Sequence, residues 1–393
     1  MPAAAGRGHT PVEAPARNLG PTYGTLMQVR TRLLAASVAL ALIGVTGAVL
    51  HEDEPQRLEA APARPARPVS WETTTTSTTV PPTTTTVTTT PPPPTTAPPA
   101  VKASAAPASA GQIKPAPTLR TNAPLVPGDP ARFAGFGAWI DVYDWSNEFT
   151  GGKPTVGPSD VDHMADMGVQ TLYVQATKQK TAGDIVDPHL LRPIIDRAHQ
   201  RGLRVITWYV PTLEDPALDL RKLLAIAHLG VEGIGVDIES RAVGDPAERS
   251  RRLVDLSVAL RQHLPAFPIS AVVMPAVVME VINGNFWPGF PYRELAPAYD
   301  VWMPMNYWTS RTQSSGYRDA YRYTAENIDR LRAQLGRADL PVHPVGGIGD
   351  VSTTADIDGF RRASEERGVL GGSIYDYHTT HDDLWAHLQP FRR

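Results

Sequence analysis

The chain has 393 residues, no cysteine, 37 basic and 40 acidic side chains and a formal net charge of -3. The missing cysteine excludes disulfides, thiolate metal sites and a cysteine nucleophile, and the balanced charge leaves no basic field to gather nucleic acid. Periodic apolar patterning starts only after roughly the first third, so only the remainder can bury a sizeable core.

Residues 1–32 form an N-terminal tail that ends near Arg30 and Arg32. An apolar run of 18 residues, Leu33 to Leu50, follows, closed by Glu52, Asp53 and Glu54. At about 1.5 Å per residue such a run reaches roughly 27 Å, near the hydrocarbon thickness of a bilayer. It therefore reads as a transmembrane anchor; a signal cleaved near Thr46, Gly47 and Ala48, or a buried helix, are the alternatives. Basic residues on its N-terminal side place the tail inside and everything beyond outside, at the outer face of the cell membrane or secreted. Residues 51–130 include TTTTSTTVPPTTTTVTTTPPPPTTAPP and hold too little apolar surface to offset chain entropy. They read as a disordered Pro/Thr-rich spacer, extended at about 3.1 Å per residue and able to hold a domain over ~100 Å from a membrane.

Over 131–393 the pattern becomes strand, loop, amphipathic helix, repeated. Strands are predicted at 136–143, 171–177, 204–210, 233–239, 269–274, 301–307, 342–348 and 372–377. Helices are predicted at 159–168, 190–202, 218–230, 246–264, 320–336 and 353–368, with Gly168, Gly202, Gly230, Gly336 and Gly368 at their ends. Eight strands alternating with helices predict an α/β domain, a single (β/α)₈ barrel, and no glycine-rich phosphate loop follows the first strand to favour an open dinucleotide-binding sheet.

Barrel chemistry sits at the C-terminal strand ends. Asp141 falls there on the first strand, Gln175 on the second, Trp208 and Tyr209 on the third. Asp237 and Glu239 end the fourth, Met305, Asn306, Tyr307 and Trp308 the sixth, and Asp376 and Tyr377 the eighth. Two acids separated by one residue on a strand share a face, so Asp237 and Glu239 point together into the lumen mouth, about 6–7 Å apart at Cα. Crowding and desolvation raise one of the pair, which suits a general acid. Glu239, nearer the mouth, is the expected acid/base, Asp237 its partner, and Tyr307 a hydroxyl for a reacting oxygen. The remaining strand-end residues are expected to bind substrate, the aromatics by stacking on sugar faces. Trp139 and Trp302, inside strands, are expected in the core. Two alternatives stand for the acids: an ion pair with Arg241 that closes the rim, or a hard-cation site drawing on Asp141, Asp237, Glu239 and Asp376. His378 and His381 receive no role, and the loop GNFWPGFPY around Trp287 is either a cap over the site or packing.

EGIGVDIE (232–239) and MNYW (305–308) resemble the fourth-strand DxxDxDxE and sixth-strand MxYD/N motifs of chitinase-like family 18 glycoside hydrolases. Glu239, Asp237 and Tyr307 match, whereas Glu232, Gly235 and Trp308 replace the first acid, the middle acid and the residue after the tyrosine. WIDVYDW (139–145) and YVQAT (173–177) are similar to the first two strands of family 25 lysozymes. The whole domain resembles the glycoside-hydrolase-like barrels of actinobacterial surface proteins. These resemblances imply hydrolysis of an N-acetylated polysaccharide or peptidoglycan, with Glu239 protonating the glycosidic oxygen and Asp237 orienting the substrate's N-acetyl group. A noncatalytic carbohydrate-binding barrel and a metal-assisted hydrolase are the alternatives. No cofactor, no resident metal, no nucleic-acid partner and a monomer are expected, with the membrane contacted only through the N-terminal segment.

Overall fold

The computed structural model describes residues 123–393. The expected anchor, and the spacer up to residue 122, lie outside the described residues; among those described, no helix is long and apolar enough to cross a membrane.

The eight strands are β1 (Gly135–Ile140), β2 (Thr171–Gln175), β3 (Arg204–Tyr209), β4 (Gly233–Ile238), β5 (Ile269–Val273), β6 (Val301–Pro304), β7 (Val345–Ile348) and β8 (Gly371–Tyr375). All pair in parallel in the order β6-β5-β4-β3-β2-β1-β8-β7. The two edges meet through isolated parallel bridges, Trp302 with Val342 and Met305 with Val345, so the barrel closes by a thinner seam than its other contacts. The helices that cover it are α1 (Pro158–Asp166), α2 (Pro188–Gln200), α3 (Pro216–Ala227), α4 (Pro246–His263), α5 (Ala320–Leu335), α6 (Thr354–Glu366) and α7 (Asp382–Leu388). Between β5 and β6 only short turns, at Val278–Ile282, Tyr292–Leu295 and Ala296–Ala298, fill that place.

Local chemistry sets these limits. Asp215 and Asp245 accept backbone N–H groups at the starts of α3 and α4, each followed by a proline whose missing N–H costs nothing there. Gly168, Gly202, Gly230, Gly336 and Gly368 all adopt positive φ just past a helix, the conformation a terminating residue needs.

The first predicted strand ends early because a side chain recaptures the backbone. β1 stops at Ile140, and Asp141 caps the short helix Val142–Trp145 by accepting from the N–H of Tyr143 at 2.7 Å. The lumen is a packed interior: Trp139 stacks on Tyr173 at 4.5 Å and donates from Nε1 to Ser373 Oγ at 2.8 Å. A side chain at Gly137 would meet the Tyr173 ring at 2.5 Å, so that ring crosses the barrel only because position 137 is glycine. Below, His343 Nδ1 lies 2.7 Å from the Phe133 carbonyl and therefore carries the proton; burial lowers this histidine to about 3 and keeps it neutral. The base extends upstream of residue 131, since Gly128 N donates to Asp300 at 2.7 Å and the Arg261 guanidinium donates to the Val126 carbonyl at 3.2 Å.

Candidate active site

Alternation along β4 puts positions 233, 235, 237 and 239 on one face, and that face is the lumen, because a Cβ at Gly235 would point at Trp208, Ser270 and Val272. Asp237 is 7 % exposed, and its Oδ1 is buried without a hydrogen-bond partner. Glu239 stands one layer higher and is partly exposed. Burial, then repulsion from Glu239, holds Asp237 well above the usual carboxylate range. Burial pushes Glu239 to about 7, against a lowering influence from Lys178.

Arg241 does not neutralise the pair. It lies over the Phe286 ring at 5.4 Å, and among the described residues neither acid has a cation at ion-pair distance. The rim-closing ion pair is therefore not what holds these acids.

Tyr307, just past the end of β6, lies within electrostatic reach of both acids, its ring 5.9 Å from that of Tyr375. Burial and the charges of Asp237, Glu239, Asp376 and Asp141 keep its hydroxyl far above its ordinary range, so it remains a proton donor for a hydrogen bond. Asp141 receives the Tyr375 hydroxyl at 2.8 Å. Asp376 accepts from Thr379 N at 2.8 Å and is raised to about 7 by burial and then by Asp141.

Carboxylate oxygens of Asp141, Asp144 and Asp376 lie within 4.8 Å of one another. Asp144 also accepts from the Asp141 N–H at 2.8 Å and closes the cap of its short helix. The hard-cation alternative is thus regrouped: Asp141 and Asp376 cluster with Asp144, not with the β4 pair. Burial raises all three acids, so a cation held there would compete with protons for their oxygens.

Gln175 faces the lumen beside Tyr173, but its Oε1 accepts from Val142 N at 3.3 Å, which positions the turn bearing Asp141. Trp208 stays inside the lumen, edge-on to Trp139 at 5.5 Å, and Met305 is 4 % exposed at the closing seam. Trp139 and Trp302 are core, as expected.

Four expected substrate-binding residues face elsewhere. Tyr209, adjacent to Trp208, points to the helical layer and donates to Asp219 at 2.6 Å. Asn306 accepts from Asn327 of α5 at 2.9 Å. Trp308 is fully buried, 5.4 Å from Phe360 of α6. Tyr377 reaches α1, its hydroxyl 3.2 Å from Asp160 and 3.0 Å from His163 Nδ1. For Tyr209 the cause is the period of two: the neighbour of a lumen residue must turn outward. Glu232 sits at the opposite end of β4, accepting from Val205 N at 2.7 Å. Trp287 donates to Ser250 Oγ at 2.9 Å and lies under Arg249 at 4.0 Å, so its loop packs on α4.

Lys178 was not among the expected site residues. It follows β2 by three positions, donates to Tyr143 Oη at 3.1 Å and lowers both Asp141 and Glu239 electrostatically. Its loop is fixed by the buried Lys222, which donates to Thr181 Oγ1 at 3.0 Å and to the Gly183 carbonyl at 2.8 Å. A cation just beyond a strand's C-terminal end is the signal that marks it.

No protein-family model and no curated protein matches the chain. Its structural neighbours include chitinases. A chitinase from Chromobacterium violaceum is 14% identical, with 66% of this chain and 98% of that one covered and a TM-score of 0.46. The spore cortex-lytic enzyme of Bacillus cereus is 10% identical over 66% of this chain and 74% of its own, TM-score 0.49. A GH18 chitinase from Pseudoalteromonas aurantia is 10% identical, covering 66% and 100%, TM-score 0.47. At these values the likenesses carry nothing about activity, and the functional reading rests on the residues.

Proposed function

We propose that this protein is a glycoside hydrolase acting on an N-acetylated extracellular or cell-wall polysaccharide, displayed on the outer face of the membrane or secreted. The observation that carries this is the Asp237/Glu239 pair, on one face at the C-terminal end of β4, at the barrel mouth, with no cation at ion-pair distance among the described residues. A carboxyl raised to about 7 stays protonated at mildly acidic pH and releases its proton near neutrality, the property a general acid for a glycosidic oxygen requires. Asp237, with an unpartnered oxygen one layer deeper, is placed to accept an N–H from a substituent beside the reacting carbon. Tyr307 donates to an oxygen of the same sugar.

The test uses the purified full-length chain on chitin oligomers and on peptidoglycan. Soluble sugars should be released, and Glu239→Gln should abolish release while binding persists. Equal turnover by that variant removes Glu239 from catalysis. Gly235 favours a second reading, a noncatalytic carbohydrate-binding barrel, because the place of the middle acid is crowded by Trp208, Ser270 and Val272 at 3.3–3.4 Å. Binding without turnover by both proteins selects that reading.

A further inference from the structure

We propose that Lys222 is a positioning residue for the mouth: from α3 it locks the loop after β2 in the arrangement that brings the Lys178 ammonium to the acids. Its bearing on turnover, though not the positioning itself, rests on the reading just given.

Lys222 is 1 % exposed, and among the described residues no carboxylate stands at ion-pair distance from it; Asp184 of the same loop is taken by Arg221 at 2.9 Å. Burying an ammonium without an anion is costly, so for the core alone an apolar side chain would serve better. The lysine instead gives all three of its N–H groups to one loop, to Thr177 Oγ1 at 3.3 Å, Thr181 Oγ1 at 3.0 Å and the Gly183 carbonyl at 2.8 Å. These acceptors bracket Lys178.

The connection continues to Lys178 itself. An ammonium only donates, so Thr181 Oγ1 accepts from it and has one proton left to give. Two carbonyls lie in reach of that proton, Lys178 at 2.8 Å and Gly183 at 3.1 Å, and the second already receives Lys222. The hydroxyl is therefore committed to the Lys178 carbonyl, which also receives the Thr181 N–H at 3.3 Å. With the backbone pinned here and Thr177 wholly buried beside it, the Lys178 side chain reaches the rings of Tyr143 and Phe149, its Nζ 4.7 and 5.5 Å from their centroids and 3.1 Å from Tyr143 Oη. Tyr143 in turn gives its N–H to Asp141 at 2.7 Å. The ammonium is thus held within electrostatic reach of Asp141 and Glu239.

Glu239 meets Asp237 along β4, Tyr307 past β6 and Lys178 past β2, and Asp141 and Asp376 join them around the Tyr307 hydroxyl; of these, Lys178 favours the ionised form of Glu239. The charges that face Lys222 are Asp184, Arg221, Asp219 and Glu148, a different set. Loss of Lys222 should therefore act on Glu239 through Lys178.

The test follows the titration of the Glu239 carboxyl by carbon-13 NMR in the full-length chain, with Glu239→Gln assigning the resonance. The wild-type midpoint is expected at about 7. Lys178→Met should raise it by about half a pH unit, roughly a threefold loss of acidity, and Lys222→Met and Thr181→Val should raise it by up to that amount, since each frees the cation from its place. The double variant Lys178→Met/Lys222→Met should titrate as Lys178→Met does. An unmoved midpoint in folded Lys222→Met, or a double variant whose shift is the sum of the two, overturns the proposal; if Lys222→Met fails to fold, Thr181→Val decides in the same way. A glycosidase should repeat these shifts in the alkaline limb of kcat/KM. Shifted carboxyl titrations without any turnover by wild type keep the positioning and remove the glycosidase reading, whereas turnover with an unmoved midpoint does the reverse.

Discussion

At the base of the barrel Asp300 is buried against Arg261 at 2.6 Å and accepts from the N–H groups of Gly128 at 2.7 Å and Ile269 at 2.8 Å. At the mouth Asp237 is nearly as buried, yet one of its oxygens has no partner and its nearest charge is another carboxylate. The same residue type is satisfied at one end and left unsatisfied at the other. Paired acids fasten the base, whereas crowded acids at the mouth sacrifice stability to hold protons near neutral pH. The comparison teaches that the two ends of one barrel answer to different demands, and it makes the mouth the place to look for chemistry.

The largest effect expected at the mouth is loss of turnover. Glu239→Gln should lower kcat on a soluble chito-oligomer by about 10²–10⁴-fold, the usual worth of a positioned general acid, with binding retained. At the base the corresponding break is structural. Arg261→Met leaves Asp300 buried and uncompensated, so urea unfolding should show a loss of about 3–5 kcal/mol, while turnover per folded molecule stays the same.

Glu239→Gln also separates the two ends by pH. In the folded chain Glu239 holds its proton up to about 7, above the ordinary 4.5, so as pH rises between these values the unfolded chain releases a proton that the folded chain keeps. Stability from this group is therefore complete below about pH 4 and lost by about pH 8, and the glutamine variant should gain about 2 kcal/mol over wild type at pH 8 and nothing at pH 4. A gain that is the same at both pH values would mean Glu239 is not perturbed. Next in size is the contrast between two tyrosines: Tyr307→Phe should cut turnover about tenfold, whereas Tyr209→Phe should leave turnover alone and cost about 1 kcal/mol in unfolding. The smallest effect concerns Lys178. Its removal in Lys178→Met should move the alkaline limb of kcat/KM upward by about half a pH unit, because the cation that lowers Glu239 is gone.

Much of this was legible from the chain before folding. The eight strands and six of the helices follow from hydrophobic period and terminal glycines, and the joint facing of Asp237 and Glu239 follows from alternation alone. That alternation also forbids Trp208 and Tyr209 from sharing a face, so the expectation that both line the mouth fails on the rule that succeeded for the acids. Asn306, Trp308 and Tyr377 lie past the ends of β6 and β8, where the chain leaves the strand and alternation no longer governs direction. Asp144 and the short capped helix that carries it were hidden because four residues are too few to show a helical period.

What the sequence determined by itself is whatever depends on neighbours a few residues apart: strand identity, helix ends, and which side chains of one strand share a side. Only the closed barrel decided which strands contribute to one mouth, since that depends on stagger and closure among segments more than 200 residues apart, as in the contact of Asp141 with Tyr375. Charge balance is likewise a property of the assembled site. Lys178 near Glu239 and Arg241 turned away to Phe286 are outcomes of packing, because electrostatic energy depends on distance and burial in space and not on order along the chain.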